Sequence, residues 1–124
     1  MNMPILIVDD YKTMLKIIRN LLRQLGFSNV DEAMDGSAAL QKIRSKNYGL
    51  IISDWNMEPM SGLHLLKEVR LDAKVKDVPF IMITAESKSE NIIAAKDAGV
   101  SNYIVKPFTA AILKSKIDTV LAGR

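Results

Sequence analysis

The sequence predicts an α/β protein with a doubly wound, five-stranded parallel sheet and five helices. Short apolar runs alternate with longer segments of helical periodicity, and the runs are continuous rather than interrupted by polar residues. Continuous apolar strands are typical of parallel sheets that helices cover on both faces. Because β-α-β crossovers are right-handed, five successive β-α units form an open sheet between two helical layers.

Four apolar runs predict buried strands, at residues 5–8, 50–52, 80–83 and 103–105. A fifth segment, residues 30–33, carries Asp31 and Glu32, and a strand of this polarity is better placed at the edge of a sheet. Apolar positions three and four apart predict helices over residues 14–25, 38–43, 63–71, 92–98 and 112–121. Gly26 and Gly99 are expected to end the first and fourth helices, and Ser61 to open the third.

Length and composition are those of one globular domain. The 124 residues, 48% of them hydrophobic and 25% charged, predict a single domain over residues 1–124 with no effector domain of its own. The absence of cysteine excludes disulfides, thiolate metal sites and cysteine nucleophiles. No run approaches the roughly 18 apolar residues of a membrane span, and the N terminus is unlike a signal peptide. We expect a cytoplasmic monomer.

The charge distribution gives no indication of a nucleic-acid or membrane partner. Seventeen basic and 14 acidic residues give a net charge of +3 and a pI of about 9.2. A nucleic-acid binder clusters its lysines and arginines on one face or tail, whereas here both signs are mixed along the chain.

Polar residues stand where the predicted strands end. Asp9 and Asp10 follow the first strand, Asp54 the third, Thr84 the fourth and Lys106 the fifth. A single residue of this kind is usually a turn former, a helix cap or a solvated cation. In an open parallel sheet, however, these ends meet at one edge, where ligands bind. Their joint placement therefore predicts a site.

The chemistry of that set points to a cation and a phosphoryl group. Three carboxylates brought together raise one another's pKa unless a cation neutralises them. Oxygen ligands of this kind suit Mg²⁺. One carboxylate could then attack phosphorus while Lys106 and Thr84 stabilise the phosphoryl oxygens.

The sequence resembles the receiver family of response regulators, and in particular chemotaxis response regulators of the CheY type. The matching segments cover nearly the whole chain. They are Val8-Asp9-Asp10, Arg19-Asn20-Leu21-Leu22, Leu25-Gly26-Phe27, Asp54-Trp55-Asn56-Met57, Gly62-Leu63, Thr84-Ala85-Glu86, Glu90-Asn91-Ile92-Ile93-Ala94-Ala95 and Lys106-Pro107-Phe108-Thr109-Ala110-Ala111. The resemblance implies the flavodoxin-like receiver fold with strand order 2-1-3-4-5, and a switch in two-component signalling.

By this resemblance, Asp54 is the phospho-acceptor of a CheA-like sensor histidine kinase. Mg²⁺ would be bound by Asp54, by Asp10 directly, by Asp9 through water and by the backbone carbonyl of Asn56. Asn56 and Glu86 occupy positions that tune how fast the phosphorylated form hydrolyses. The protein would catalyse its own phosphotransfer and dephosphorylation without being a turnover enzyme. Whether a separate phosphatase acts on it is left open.

The resemblance also assigns the switch and the output surface. Lys106 would contact the phosphoryl group, and Thr84 would move to hydrogen-bond it. Tyr103 would swing inward as Thr84 moves. Ile92, Tyr103 and Lys116 match positions that hold a peptide of a FliM-like flagellar motor switch protein, which makes chemotaxis and flagellar rotation the expected output.

Two departures from the family pattern concern the loop after Asp54 and the last helix. Glu58 stands where the family usually has proline, and Pro59 follows. Glu58 is either an exposed loop residue beside a shifted turn, or it lies near the metal or pairs with Lys106. Lys114-Ser115 replaces an acidic pair common in close relatives, which leaves the output partner open.

Three other functions compete with the motor-directed switch. A phosphorelay intermediate or phosphate sink would use the same site without a motor target. A Mg²⁺-dependent phosphohydrolase needs an acid-base residue two positions after its nucleophilic aspartate, and Asn56 cannot fill that role. A flavodoxin-like mononucleotide binder needs a phosphate loop rich in Gly, Ser or Thr after the first strand, and the sequence has none there.

Overall fold

In the computed structural model, which describes residues 3–85 and 89–122, the chain forms five successive β-α units. The elements are β1 (Ile5–Val8), α1 (Lys12–Gln24), β2 (Val30–Ala33), α2 (Gly36–Ser45), β3 (Leu50–Asp54), α3 (Gly62–Leu71), β4 (Phe80–Thr84), α4 (Ser89–Asp97), β5 (Asn102–Val105) and α5 (Ala110–Ala122). The alternation predicted from the apolar runs is therefore confirmed.

The five strands form one parallel sheet in the order β2-β1-β3-β4-β5. This confirms the predicted order and places the polar strand β2 at the edge. In the register, Asp54 pairs with Ile83 and Thr84 pairs with Val105. The last residues of β3 and β4 consequently lie at the same end of the sheet.

A separate apolar core covers each face of the sheet. Successive strand residues point to opposite faces, so Ile5 and Ile7 enter one core while Leu6 and Val8 enter the other. Helices α1 and α5 cover the first face. Helices α2 and α3 cover the second, where Ala98 of the α4–β5 turn also packs. The sheet is thus buried between two helical layers, as continuous apolar strands require.

Local sequence signals account for several helix ends. Gly26 and Gly99 take positive φ values of 95° and 92° after α1 and α4, as predicted. The Ser61 hydroxyl accepts a hydrogen bond from the first turn of α3. Asp35 caps α2 in the same way, so that helix starts earlier than its apolar residues indicate. None of the helices in residues 3–85 and 89–122 is long and apolar enough to cross a membrane.

Strands β3 and β4 continue beyond their apolar runs. Ser53, Asp54 and Thr84 are strand residues and are buried. Backbone pairing with the neighbouring strands continues regardless of side-chain polarity, which is why the strand ends differ from those predicted by hydrophobicity. The extension carries the polar side chains to the carboxyl edge of the sheet.

Candidate functional site

The carboxyl ends of β1, β3, β4 and β5 bring the predicted site residues to one edge. Backbone hydrogen bonds continue the sheet just past the strand ends: the Asp9 amide donates to Ala33 (3.2 Å), and the Lys106 amide donates to the Thr84 carbonyl (2.8 Å). These bonds fix the backbone where the side chains of Asp9 and Lys106 leave the sheet, and the bond from the Trp55 amide to the Ile83 carbonyl (2.8 Å) does the same next to Asp54.

Asp9, Asp10 and Asp54 form a carboxylate cluster. Each offers an oxygen, and these three atoms lie within 4.8 Å of one another. Asp9 and Asp54 are only 2% and 4% exposed, whereas Asp10 is exposed. The cluster therefore has a buried interior and one carboxylate open to solvent.

The buried interior of the cluster is short of hydrogen-bond donors. One oxygen of Asp9 (Oδ1) accepts from the Tyr11 amide at 3.0 Å, and the other (Oδ2) is buried with no hydrogen-bond partner in the described part of the chain. Burial raises the pKa of Asp9 to about 6; the Tyr11 amide opposes this shift and the charge of Asp54 reinforces it. A buried oxygen without a donor is costly, and a bound cation would remove that cost.

Lys106 provides the positive charge at this edge. Its Nζ lies 2.8 Å from Oδ1 of Asp54. Oδ1 of Asp54 is buried, and the Lys106 ammonium is its charged partner. Three ionised carboxylates and one ammonium give −3 + 1 = −2, the charge that one divalent cation neutralises. The residues present therefore fit Mg²⁺, a hard cation that prefers oxygen ligands.

A cavity of about 370 Å³ opens beside the cluster. Its lining residues are Asp10, Trp55, Asn56, Met57, Glu58 and Ser61. Glu58 and Asn56 are both exposed there. Glu58 is thus an exposed loop residue that also lines the cavity beside the carboxylate cluster, and its proximity to a metal stays a prediction. Lys106 pairs with Asp54, and no ion pair joins Glu58 to Lys106 within residues 3–85 and 89–122.

A second, very small cavity lies between β4, α4 and β5. Its volume is about 10 Å³, and its lining residues are Trp55, Thr84, Asn91, Ile92, Ala95 and Tyr103. Lys116 lies over Tyr103, with its Nζ 5.5 Å from the ring centroid. The structure thus brings Ile92, Tyr103 and Lys116 together next to Thr84. Trp55 lines both cavities and is adjacent to Asp54. Glu86, by contrast, lies outside the described residues.

Gly62 is a residue of the site that sequence reasoning missed. A Cβ at this position would clash with the backbone carbonyl oxygen of Asp54 and with the sulfur of Met82. The Gly62 amide also donates to the Trp55 carbonyl at 2.9 Å, which closes the loop after β3. From the sequence, Gly62 was named only in the segment Gly62-Leu63 that matches the receiver family. The sequence signal that could have identified Gly62 is a glycine at the first position of a helix, because glycine favours the helix less than most other residues do.

The fold and the site together define a receiver domain. The chain belongs to the family of response regulator receiver domains, whose sequence pattern matches residues 5–118. Within that family it is of the CheY type, the response regulators of two-component signalling in chemotaxis.

Relatives and solved structures agree with this assignment. Chemotaxis protein CheY-3 of Vibrio cholerae is 54% identical over 119 residues, covering 96% of this chain and 92% of that protein. Chemotaxis protein CheY of Pseudomonas aeruginosa is 52% identical over 118 residues, covering 95% of each. The crystal structure of Vibrio cholerae CheY4 superposes with a TM-score of 0.90 at 32% identity, covering 97% and 99% of the two chains.

A further structural relative has been solved with its ligands. The response regulator TrrA of Thermotoga maritima, in complex with Mg²⁺ and BeF, superposes with a TM-score of 0.84 at 34% identity, covering 95% of this chain and 98% of that one. Receiver domains bind Mg²⁺ through an acidic pocket, and Asp9, Asp10 and Asp54 form a pocket of that kind. CheY-like receiver domains interact with histidine kinases such as CheA.

Proposed function

We propose that this chain is a Mg²⁺-dependent phosphorylation switch in which Asp54 accepts a phosphoryl group from the phosphohistidine of a CheA-like kinase. The observation that carries the proposal is the carboxylate cluster, in which three aspartates and one lysine are short of two positive charges and the buried Oδ2 of Asp9 has no hydrogen-bond donor among the described residues. Such a site gains free energy from a divalent cation and then presents a carboxylate beside an ammonium.

In the transfer step, a carboxylate oxygen of Asp54 attacks phosphorus and forms a P–O bond as the P–N bond of the phosphohistidine breaks. The electron pair of that bond stays on the imidazole nitrogen of the kinase. Asp10, Asp54, the Asn56 carbonyl and, through water, Asp9 would hold Mg²⁺. When bound, Mg²⁺ neutralises charge on the carboxylates and on the phosphoryl oxygens. Lys106 moves its ion pair from Asp54 to the phosphoryl group.

The signal ends by hydrolysis at the same site. Water attacks phosphorus, the bond to the Asp54 oxygen breaks, and inorganic phosphate leaves the restored carboxylate. Asn56 lines the cavity through which that water arrives, and we assign it, together with Glu86, to tuning the lifetime. Because the phosphorylated protein is itself the signal, the chain acts as a switch and not as a turnover enzyme.

The output of the switch is a change of population at the α4–β5–α5 face. Phosphoryl oxygens attract Thr84 and Lys106, and the arrangement in which both reach them gains population. Thr84 shares its small cavity with Tyr103 and Ile92, so a movement of Thr84 changes the space available to both. We propose that a helical peptide of a FliM-like motor switch protein binds this face, where Ile93 and Ile112 are 56% and 43% exposed.

Phosphotransfer is tested by intact-mass measurement after incubation with phosphoramidate. The wild type should gain one phosphoryl group in the presence of Mg²⁺ and none with a chelator. Asp54→Asn should gain none under either condition. A phosphoryl group on Asp54→Asn, or one added to the wild type without Mg²⁺, would contradict the proposal.

The motor output is tested separately, by titrating a FliM-like switch peptide into the protein with and without Mg²⁺ and beryllofluoride. Tighter binding with beryllofluoride is expected, and Lys116→Ala should reduce it. Equal binding in both conditions, in a protein that does take up phosphoryl groups, would leave the phosphate sink as the function.

A further inference from the structure

Glu58 lines the cavity beside the carboxylate cluster, but its carboxylate does not belong to that cluster. It lines the 370 Å³ cavity together with Asp10, while the three clustered oxygens come from Asp9, Asp10 and Asp54. Glu58 is exposed, and no ion pair of its carboxylate occurs in the parts of the chain that the structure describes. Its charge is therefore not neutralised by a neighbouring lysine or arginine there.

The charge balance of the site gives Glu58 a distinct effect. With Mg²⁺ bound, the three aspartates, Lys106 and the ion sum to −3 + 1 + 2 = 0. Glu58 then adds one negative charge at the mouth of a neutral site. The buried Oδ2 of Asp9, which lacks a hydrogen-bond donor, independently indicates that the cluster is built for a cation. Mg²⁺ bound in proteins usually keeps several waters, and the cavity that Glu58 shares with Asp10 would hold waters of an ion bound at the cluster.

We infer that Glu58 is a positioning residue that raises the Mg²⁺ affinity of the site through metal-bound water and, by the same charge, repels small anionic phosphodonors from its mouth. The inference rests on the proposed function, because it assumes that Mg²⁺ binds this cluster. A neutral residue at this place, such as the proline usual in the family, exerts neither effect. The two effects have opposite signs, which separates a charge effect from general damage to the loop.

The test compares Glu58→Gln, Glu58→Asp and the wild type in two assays. Trp55 fluorescence measures the Kd of Mg²⁺, and intact mass measures the rate of phosphorylation by acetyl phosphate at saturating Mg²⁺. Glu58→Gln should weaken Mg²⁺ binding about threefold to tenfold at low ionic strength, as expected for one charge acting across solvent. It should speed phosphorylation by acetyl phosphate, an anion. Glu58→Asp keeps the negative charge, so its Kd for Mg²⁺ and its rate of phosphorylation by acetyl phosphate should both stay close to those of the wild type.

A control variant and an ionic-strength series complete the design. Asp77→Asn removes an exposed charge near the opposite edge of the sheet and should change neither assay. The effect of Glu58→Gln should shrink strongly at about 1 M salt, where screening acts over about 3 Å. Thermal unfolding of all variants without Mg²⁺ checks that folding is unchanged.

The outcomes separate this inference from the function on which it rests. A wild type that does not bind Mg²⁺ overturns both. A wild type that binds Mg²⁺ with an unchanged Kd in Glu58→Gln overturns the role of Glu58 alone. A loss of affinity that is equally large at high salt, or equally large in Glu58→Asp, would show a structural role of the side chain and would also overturn the inference.

Discussion

The two edges of the sheet differ in how their acidic side chains are exposed and paired: Asp31 at the amino edge is partly exposed, whereas Asp9 and Asp54 at the carboxyl edge are buried. At the amino edge, Asp31 accepts hydrogen bonds from the Tyr48 hydroxyl at 2.7 Å and from Lys46 Nζ at 2.9 Å. At the carboxyl edge, the buried Oδ2 of Asp9 has no hydrogen-bond donor in the described chain, and the charge partner of Asp54 is Lys106 at 2.8 Å. Asp31 at the first edge is matched by hydrogen-bond donors, whereas the three clustered carboxylates at the second edge have a single lysine partner among the described residues.

Arg70 strengthens the amino edge further. Its Nε donates to the Gly99 carbonyl at 2.9 Å, and one terminal nitrogen donates to the carbonyls of Lys76 and Val78 at 2.8 and 2.6 Å. One side chain on α3 thereby ties together the loops that lead into β4 and β5. Within residues 3–85 and 89–122, no side chain makes a comparable set of hydrogen bonds to the backbone at the carboxyl edge.

The pKa values of two aspartates express the same contrast. Hydrogen bonds from Lys46 and Tyr48 lower the pKa of Asp31. Loss of hydration raises the pKa of Asp9 to about 6. Folding therefore favours the ionised form of Asp31 and disfavours that of Asp9. The fold carries an electrostatic cost at the edge where the ligand would bind, and the difference between the edges can be tested by substitution.

The largest expected effect is that of removing the clasp at the amino edge. Arg70→Ala leaves three carbonyls without their charged donor and should lower the free energy of unfolding by about 3 kcal/mol. Urea unfolding measures this loss. Arg44→Ala is the matched control, because its ion pair with Asp72 is exposed and should contribute at most about 1 kcal/mol. Equal losses in the two variants would contradict the special role of Arg70.

The next effect concerns the close packing at the carboxyl edge. Gly62→Ala forces a methyl group against the Asp54 carbonyl and should cost about 2 kcal/mol of stability, as overpacking does. It should also weaken Mg²⁺ binding, because it displaces the Asp54 backbone. Gly49→Ala is the control, since a Cβ there meets only the flexible side chain of Met3. Unfolding curves and Mg²⁺ titrations that are alike for the two variants would speak against the constraint.

A smaller effect is the pH dependence that Asp9 imposes in the absence of Mg²⁺. In the folded protein the pKa of the Asp9 carboxyl is raised to about 6, whereas its ordinary pKa is 3.8. Between these values the folded state binds more protons than the unfolded state, so stability falls as pH rises from about 4 to about 6. Because solvent next to the exposed Asp10 reduces the effect, the free energy of unfolding should fall by about 1–2 kcal/mol over this pH range.

Urea unfolding at several pH values with a chelator measures this slope, and Asp9→Asn should remove it. The contribution of Asp31 lies outside the window, because its lowered pKa confers stability that is present above pH 3.8 and is lost only at lower pH. A wild type whose stability is constant or rises from pH 4 to pH 6 would show that burial of Asp9 carries no such cost.

The smallest effect is that of a single hydrogen bond at the amino edge. Tyr48→Phe removes the 2.7 Å bond to Asp31 but leaves Lys46 as a partner, so the loss should be about 1 kcal/mol. Chemical denaturation of the two proteins at neutral pH is sufficient to detect it. Mg²⁺ affinity should stay unchanged, and a change in that affinity would mean that the two edges are coupled.

Much of the fold was predictable because buried strands and helix faces appear in the sequence as apolar residues at regular spacing. Continuous apolar runs predicted the central strands β1, β3 and β4, and the polar pair Asp31-Glu32 predicted the edge strand β2. The apolar run of β5 also forms a strand, but that strand lies at the other edge of the sheet and is only partly buried. Gly26 and Gly99 ended their helices because the positive φ there suits glycine. The predicted ends of β3 and β4 were too early, because Asp54 and Thr84 belong to the strands and are buried although they are polar.

The site was predictable to the level of its residues but not of its contacts. Strand order alone brings Asp9, Asp54 and Lys106 to one edge. The clash at Gly62 and the clasp of Arg70 depend on distances between elements far apart in the chain, which periodicity and spacing do not carry. Asp54 illustrates this limit, because it is a buried strand residue whose charge does not fit the apolar pattern used to predict strand ends.

The most direct test of the account is the fluorescence of Trp55, which lines both cavities at the carboxyl edge. Mg²⁺ and then beryllofluoride, a phosphoryl mimic, are titrated into the wild type and Asp54→Asn. We expect a saturable response to Mg²⁺ in the wild type, a further response to beryllofluoride only when Mg²⁺ is present, and no beryllofluoride response in Asp54→Asn. A beryllofluoride response that survives in Asp54→Asn, or that is absent from a folded wild type saturated with Mg²⁺, would contradict the assignment of Asp54 as the phosphoryl acceptor.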